Sequence, residues 1–301
     1  MTTKKRKAAK KSKSAKSAAK SKAPAQRTAR GALAVATSSR KAVAERVAAL
    51  AASPLSASDN EEDLQPLLEV LRNKEEPTPV RLAALQTLQA ATFASIAFEA
   101  MRGDYIAALR EVAQDSDSEL RQRALGILAR EKDGFAQRRL LQGLENPEKA
   151  LVPPEKALQL LSYDVHSDAY PLAREIVNNP PNTAAKREAL RLLAADASSA
   201  PVFEKVLRDK DETPENRQVS AAALQSLRPD RLQQLAREAL LDPSESDEMH
   251  ATSLTALTQF GDAEAIGKDE KLKRQITKLG SKASTKVKQG ARSFLKKYSD
   301  E

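Results

Sequence analysis

The stretch RLAALQTL at residues 81–88 contains a small residue, a Leu, two variable positions and another apolar residue, and this pattern returns along the chain. Its further copies are RQRALGIL at 121–128, EKALQLL at 155–161, KREALRLL at 186–193 and AAALQSL at 221–227. The small residue recurs at intervals of 40, 33, 32, 34, 30 and 38 residues, at Ala84, Ala124, Ala157, Ala189, Ala223, Ser253 and Ala291. A period in this range predicts stacked supersecondary units that bury their apolar faces against neighbouring units.

An amphipathic segment precedes each copy of the pattern. In the first of these segments, Leu64, Leu67, Leu68 and Leu71 have the i, i+3, i+4, i+7 spacing of one apolar helix face. The segments are 63–71, 105–112, 135–144, 170–177, 201–207, 231–241 and 271–279. Each unit is therefore predicted to be a pair of helices, with the repeated pattern on the second helix.

The turn between the two helices carries a capping signal. Thr78-Pro79 and Thr213-Pro214 combine a side chain that accepts hydrogen bonds from the first helical amides with a proline suited to the first helical position. Thr213 lies ten residues before the small residue of its unit, whereas Thr78 lies six residues before its own. We expect the second helix of the Thr213 unit to begin about one turn earlier.

The composition favours an all-α protein and excludes several kinds of site. Aromatic residues make up 3% of the chain, and there is no Cys, so disulfides, thiolate nucleophiles and Cys-based zinc sites are excluded. No run of about 18 apolar residues and no signal-peptide core are present, which predicts a cytoplasmic protein. His166 and His250 lack the spacing of metal ligands, and no phosphate-binding loop or nucleophile elbow occurs. We expect no cofactor, no metal and no catalytic residue.

Charge is divided along the sequence. Residues 1–41 carry a net charge of +14, residues 268–297 carry +9, and residues 42–267 carry −12. The first segment consists mainly of Lys, Ala, Ser and Thr, which bury too little apolar surface to offset the entropy of ordering. The predicted domains are a disordered basic tail at 1–39, a folded repeat region at 40–297 with a cap helix and loop at 40–61 and a basic C-terminal unit at 268–297, and a short acidic tail at 298–301.

Two segments carry a family resemblance. DSDSELRQRALGIL at 115–128 and EEPTPVRLAALQTL at 75–88 resemble the turn and second helix of HEAT repeats, especially the short-period bacterial kind. The resemblance covers residues 62–297 and departs from the pattern at 152–154, where Val-Pro-Pro replaces Val-Arg, and at His250. It implies a right-handed α-α superhelix, an α-solenoid of roughly seven HEAT-like helix pairs, whose second helices line a concave face that binds protein ligands.

On this fold, the residue two positions after each repeated small residue points away from the core. Together these residues form a row along the second helices. Its candidate members, which we call the ladder, are Gln86, Gln159, Arg191 and Gln225. They could hydrogen bond an extended partner along the concave face, or they could form an ordinary solvated helix face.

The insertion that lengthens the first interval to 40 residues holds a second candidate. FASIAFEAM at 93–101 contributes Phe93, Ile96, Phe98 and Met101, in a chain with only six Phe and four Tyr. Exposed, these residues would form an apolar protein-binding patch. Buried, they would be core of the first units.

The basic ends are candidates for polyanion binding. Lysines alternating with small residues attract phosphate backbones through counterion release, without reading sequence. The alternatives are a solubility tail, attraction to an acidic protein or membrane surface, and contact with the acidic body. The candidate contacts are Lys4, Lys5, Arg6, Lys7, Lys10, Lys11, Lys13, Lys271, Lys273, Arg274 and Lys278.

These observations predict a monomeric, non-enzymatic scaffold that binds another protein on its concave face. The first alternative is a nucleic-acid-associated protein that holds polyanion through its basic ends and lies at the nucleoid. The second alternative is a lyase-type or other enzyme subunit on a HEAT scaffold.

Overall fold

The computed structural model describes residues 30–51, 61–94, 98–164 and 167–298, which contain helices and no strand. Short 3₁₀ turns precede α8, α9 and α11 in the following order of helices. The helices are α1 (30–36), α2 (Val43–Ala51), α3 (Glu61–Arg72), α4 (Thr78–Ala94), α5 (Phe98–Val112), α6 (Ser118–Arg130), α7 (Gly134–Glu145), α8 (Pro154–Leu161), α9 (Tyr170–Asn178), α10 (Thr183–Leu193), α11 (Ala200–Arg208), α12 (Pro214–Leu227), α13 (Pro229–Leu241), α14 (Asp247–Phe260), α15 (Ala263–Gly267), α16 (Glu270–Lys282) and α17 (Thr285–Tyr298).

The predicted order of helices is confirmed, and six of the predicted pairs pack closely. These pairs are α3/α4, α5/α6, α9/α10, α11/α12, α13/α14 and α16/α17, whereas α7 and α8 follow each other in sequence without comparable packing. The early start of α12 is also confirmed, because Thr213 caps it and its side chain accepts a hydrogen bond from the backbone N–H of Asn216. In contrast, α8 begins only at Pro154 and has 8 residues, since two prolines stand where the other units start their second helix. No helix in the described ranges is long and apolar enough to span a membrane.

The chain forms two compact units. In the first, Met1–Ala136, α3 packs against α4 and α5, and α4 also contacts α2 and α6. Leu64, Leu68, Ala84 and Leu88 are fully buried in this unit. The residues predicted to face inward in the first repeat therefore form its core.

The second unit, Gln137–Glu301, is a two-layer stack. The second helices pack side by side in the order α8, α10, α12, α14 and α17. The first helices form the other layer, with α9, α11, α13 and α16 packed against α10, α12, α14 and α17 respectively. The repeated small residues of this unit are all buried: Ala157, Ala189, Ala223, Ser253 and Ala291.

A buried ion pair joins successive repeats in the first unit. Arg81, near the start of α4, donates from Nε to the carbonyl of Leu71 at 3.0 Å and from Nη2 to Asp115 Oδ2 at 2.7 Å. Asp115 lies in the turn of the next repeat and also accepts from the backbone N–H of Asp117 at 2.9 Å. The pair is about 95% buried on both sides, so Arg81 ties its own helix pair to the following turn.

The same arrangement recurs in the second unit. Arg217 on α12 donates from Nε to the carbonyl of Leu207 at 2.9 Å. Its two Nη atoms contact the two carboxylate oxygens of Glu245 at 2.8 and 2.6 Å, just before α14. This bidentate geometry is the strongest form of a charge-assisted hydrogen bond.

These ion pairs make the free energy of unfolding depend on pH. Burial acts to raise the pKa of Asp115, but the hydrogen bond and charge of Arg81, with the N–H of Asp117, lower it overall. The pKa of Glu245 is lowered in the same way by Arg217 against the effect of burial. A carboxylate with a depressed native pKa stabilises the fold above its unfolded value of about 4, and this contribution is lost as the pH falls through the native value.

We therefore expect the free energy of unfolding to be nearly constant from about pH 7 to about pH 5 and to fall below about pH 4. Urea denaturation at a series of pH values measures this dependence. Asp115→Asn should lose less stability than the wild type between neutral and acidic pH, because its side chain binds no proton. Equal acid sensitivity of the two proteins would show that Asp115 does not carry a depressed pKa.

The predicted disordered tail is too long. Residues 30–36, within the predicted 1–39, are helical, and Ala36 is fully buried. Its carbonyl accepts from Arg46 Nε at 2.7 Å, and the same guanidinium pairs with Glu76 at 2.6 Å.

Residues 1–29 lie outside the described residues, as do 52–60 and 299–301. At the other end of the chain, α17 runs to Tyr298, which is buried.

Candidate functional site

The second-helix layer of the second unit contains a groove of about 520 Å³, which we call the α12/α14 groove. Residues of α12 and α14 form its walls, with Leu232 of α13 and residues at the start of α17 completing it. The lining residues are Gln218, Ala221, Ala222, Gln225, Leu232, Asp247, Glu248, Ala251, Thr252, Thr255, Ala256, Phe260, Ser284 and Lys286.

Small side chains make the groove possible. On α14, Glu248, Ala251, Thr252 and Thr255 are three or four residues apart and therefore lie along one side of the helix. On α12, Ala222 is three residues before Gln225, and it is exposed in the groove wall. With Ala and Thr at these positions, neither helix fills the space in front of it.

The two ends of the groove differ chemically. Asp247 and Glu248 lie at the first turn of α14, and Phe260, half exposed, lies at its last residue. Asp247 accepts a hydrogen bond from the backbone N–H of Ser284 at 2.7 Å, which lowers the pKa of Asp247. The stretch from Glu248 to Phe260 is about 18 Å long at 1.5 Å per helical residue. The groove thus runs from an acidic end to an aromatic end.

A smaller cavity of about 220 Å³ lies between α12, α13 and α14. It shares Ala221, Leu232, Thr252 and Ala256 with the α12/α14 groove. Its lining also includes the partly exposed side chains of Arg208, Lys210 and Glu238, so it opens to solvent. The space behind the groove could therefore receive a side chain that enters between α12 and α14.

The ladder is only partly assembled. Gln86, Gln159 and Arg191 are exposed, but Gln86 lies in the first unit, and Gln159 and Arg191 do not line the groove. Arg191 donates to Glu188 at 2.6 Å, and Gln159 accepts from Lys156 at 2.9 Å. Gln225 alone of the four belongs to the groove, where Thr255, at the corresponding position of the next repeat, joins it. In α6 the corresponding position is occupied by Gly126, which is buried, so the row of exposed residues is not continuous.

Among the groove residues that sequence reasoning missed are Ala222, Ala251, Glu248 and Phe260. A weak signal for Phe260 was available, because it is an aromatic residue at the end of a second helix in a chain with few aromatics. The small residues gave no signal of their own, since Ala is common at every helix position of this chain.

Among the described residues, two members of the predicted apolar patch are buried and one is exposed. Phe98 and Met101 are fully buried, and Phe98 packs edge-on against Tyr105 with ring centroids 5.1 Å apart. Ile96 lies outside the described residues, and Phe93 is 88% exposed. The interpretation of this segment as core therefore holds for the start of α5, because the aromatic and Met side chains turn inward there.

The other candidate residues are distributed as follows. The tail residues Lys4 to Lys13 and His166 lie outside the described residues. His250 is buried, with Nε2 3.2 Å from the carbonyl oxygen of Asp242. Within 30–298, excluding the three gaps, no group of three His, Asp or Glu side chains is placed to hold a metal ion.

Comparison with known proteins gives similarity to solved structures. No protein-family model matches the chain, and no curated protein matches it. Among solved structures it is similar to human deoxyhypusine hydroxylase in complex with glycerol, with a TM-score of 0.34 and 15% sequence identity, over 80% of this chain and 97% of that chain. The helix pairs described above are consistent with a HEAT-like helical repeat, and the HEAT assignment stays a resemblance.

The expectation of a non-enzymatic protein needs correction, because the matched structure is that of an enzyme. At this TM-score the similarity transfers no reaction, substrate or catalytic residue to the chain.

Proposed function

We propose that the protein binds a segment of another protein in the α12/α14 groove. The observation that carries this proposal is the groove itself, with its wall of Ala and Thr side chains and the cavity behind it. Surface concavities that are mainly apolar and contain a few polar groups are the usual binding sites of proteins.

The dimensions favour a polypeptide as the ligand. The groove follows α14 for about 18 Å, which matches about five extended residues or about twelve helical residues. Gln218, Gln225 and Thr255 along the walls can hydrogen bond a peptide backbone. An apolar side chain of the ligand would enter between Ala221 and Thr252.

The charge of the groove specifies the ligand further. Glu248 is exposed at the acidic end, whereas Phe260 forms the other end. A ligand segment with an apolar centre and a basic residue on the Glu248 side complements both ends.

The test is selection of peptides from a displayed random library on the wild-type protein. Selected peptides are expected to lose at least about tenfold in affinity for Ala222→Glu, since the new carboxylate fills the groove and must be desolvated when an apolar ligand binds. Ala222 is exposed, so the variant should fold. Fluorescence anisotropy of the labelled peptides measures the affinities.

The matched control is Ala265→Glu, which places the same side chain at an exposed position of α15 outside the groove. It should bind the selected peptides like the wild type. Selected peptides that bind Ala222→Glu as tightly as the wild type would show that the ligand site lies elsewhere.

A further inference from the structure

The last helix pair of the second unit presents basic side chains to solvent. On α16, Lys271, Arg274 and Lys278 are exposed and follow one another at intervals of three and four residues, so they form one stripe. On α17, Arg292 and Lys296 are exposed four residues apart. We call these five residues the basic end face.

Few carboxylates lie near the basic end face. The one acid on α16 and α17 is Glu270, the first residue of α16, and its charge also acts on Arg274. Residues 271–299 contain no Asp or Glu. The two acids just before them are already engaged, since Asp269 pairs with Arg237 at 2.5 Å and Glu270 with Lys273 at 2.6 Å. Lys273 is therefore held in an ion pair, unlike its neighbours.

Exposed arginines elsewhere in the second unit are neutralised in several cases. These ion pairs are Arg191 with Glu188, Arg208 with Glu238, and Arg237 with Asp269. By comparison, none of the five residues of the basic end face forms an ion pair within the part of the chain that the structure describes. Their positive charge is available to a ligand.

The residues between the cations indicate the chemistry of that ligand. Gln289 and Ser293 are exposed on α17, and hydroxyl and amide groups commonly donate to phosphate oxygens. The hydroxyls of Thr277 and Ser281 on α16 instead donate to the backbone carbonyls of Lys273 and Lys278. The aromatic residues of α17 are buried, so none is available to stack on unpaired bases. An acidic protein partner would need an apolar interface centre, which these exposed positions do not supply.

We propose that the basic end face binds the phosphate backbone of double-stranded nucleic acid without reading its sequence. Lys271 and Lys278 are about 10 Å apart along α16, which is close to the axial rise of three base pairs. Lysines and arginines on both helices contact phosphates, and the hydroxyl and amide groups between them add hydrogen bonds. The site is separate from the α12/α14 groove, so a failure of either proposal leaves the other standing.

The test measures binding of the full chain to a fluorescent 25-base-pair DNA duplex at several salt concentrations. An end-face variant carries Lys271→Gln, Arg274→Gln, Lys278→Gln, Arg292→Gln and Lys296→Gln. Because each phosphate contact contributes about −0.9 to the slope of log K against log salt, removing five contacts should make the variant's slope shallower by about 4.5. Circular dichroism checks that the variant is folded.

A tail variant with Lys4, Lys5, Lys7, Lys10 and Lys11 changed to Gln is the matched control, and it should keep a measurable salt slope. Four results would overturn the proposal: no duplex binding by the wild type at low salt, an unchanged slope in the end-face variant, complete loss of binding in the tail variant, or equal competition by polyglutamate. The last of these would assign the face to an acidic protein.

Discussion

Replacing Leu125 with Ala should lower the free energy of unfolding by about 2–5 kcal/mol. Leu125 is fully buried on α6, which packs against α5 of its own repeat and α4 of the preceding one. The substitution removes a buried apolar side chain and leaves a cavity that the two repeats cannot fully close. Urea denaturation followed by circular dichroism measures the change.

Gln86→Ala is the matched control in the same unit, since Gln86 is exposed on α4. It should cost less than about 0.5 kcal/mol, and Gln159→Ala in the second unit should cost as little. Hydrogen exchange of the α6 amides gives a second measurement, because parts of a repeat protein can unfold separately. Comparable losses for Leu125→Ala and Gln86→Ala would mean that the inward face of the repeated pattern has been assigned wrongly.

Arg217→Leu should cost about 3–5 kcal/mol at neutral pH. The substitution removes both guanidinium contacts to Glu245, which is then a buried carboxylate without its counterion. It also leaves the carbonyl of Leu207 without its side-chain donor. Arg217→Lys should restore only part of the loss, because an ammonium group cannot reproduce the bidentate contact.

Two further measurements separate an unpaired charge from lost packing. The double variant Arg217→Leu with Glu245→Leu should be more stable than Arg217→Leu alone, since no buried charge remains. The difference between Arg217→Leu and the wild type should also shrink as the pH falls, beginning above the ordinary glutamate pKa of about 4, because burial without the guanidinium raises the pKa of Glu245 in the variant. A double variant as unstable as the single one would point to packing as the whole effect.

The helix pairs could be predicted because their signals are local. Apolar spacing, capping residues and prolines act within one helix, so the early start of α12 at Thr213 and the break before α8 at Pro153 follow from the sequence. Spacing along the sequence predicts less reliably which residues of a helix face solvent. Gly126 has the same helical phase as Gln86, yet it is buried, because burial depends on what packs over the helix as well as on its phase.

The α12/α14 groove could not be predicted in the same way. Sequence periodicity gives the angular position of Ala222, Thr252 and Phe260 on their own helices. Whether the helices approach closely enough to exclude ligands depends on packing among α12, α13, α14 and α17, whose residues are tens of positions apart. The predicted ladder is therefore not continuous. Gln225 is the one ladder residue that lines the α12/α14 groove.

The chain's amino acids alone establish the repeat, the pairing of helices and the concentration of positive charge at residues 268–297. Each depends on composition or on spacing within a few helical turns. Which charges are held in ion pairs is a tertiary property: Lys273 is paired with Glu270, while Lys271, Arg274 and Lys278 are exposed and form no ion pair with the described residues. The same holds for the groove, because a cavity is defined by the distance between packed helices, which no short segment encodes.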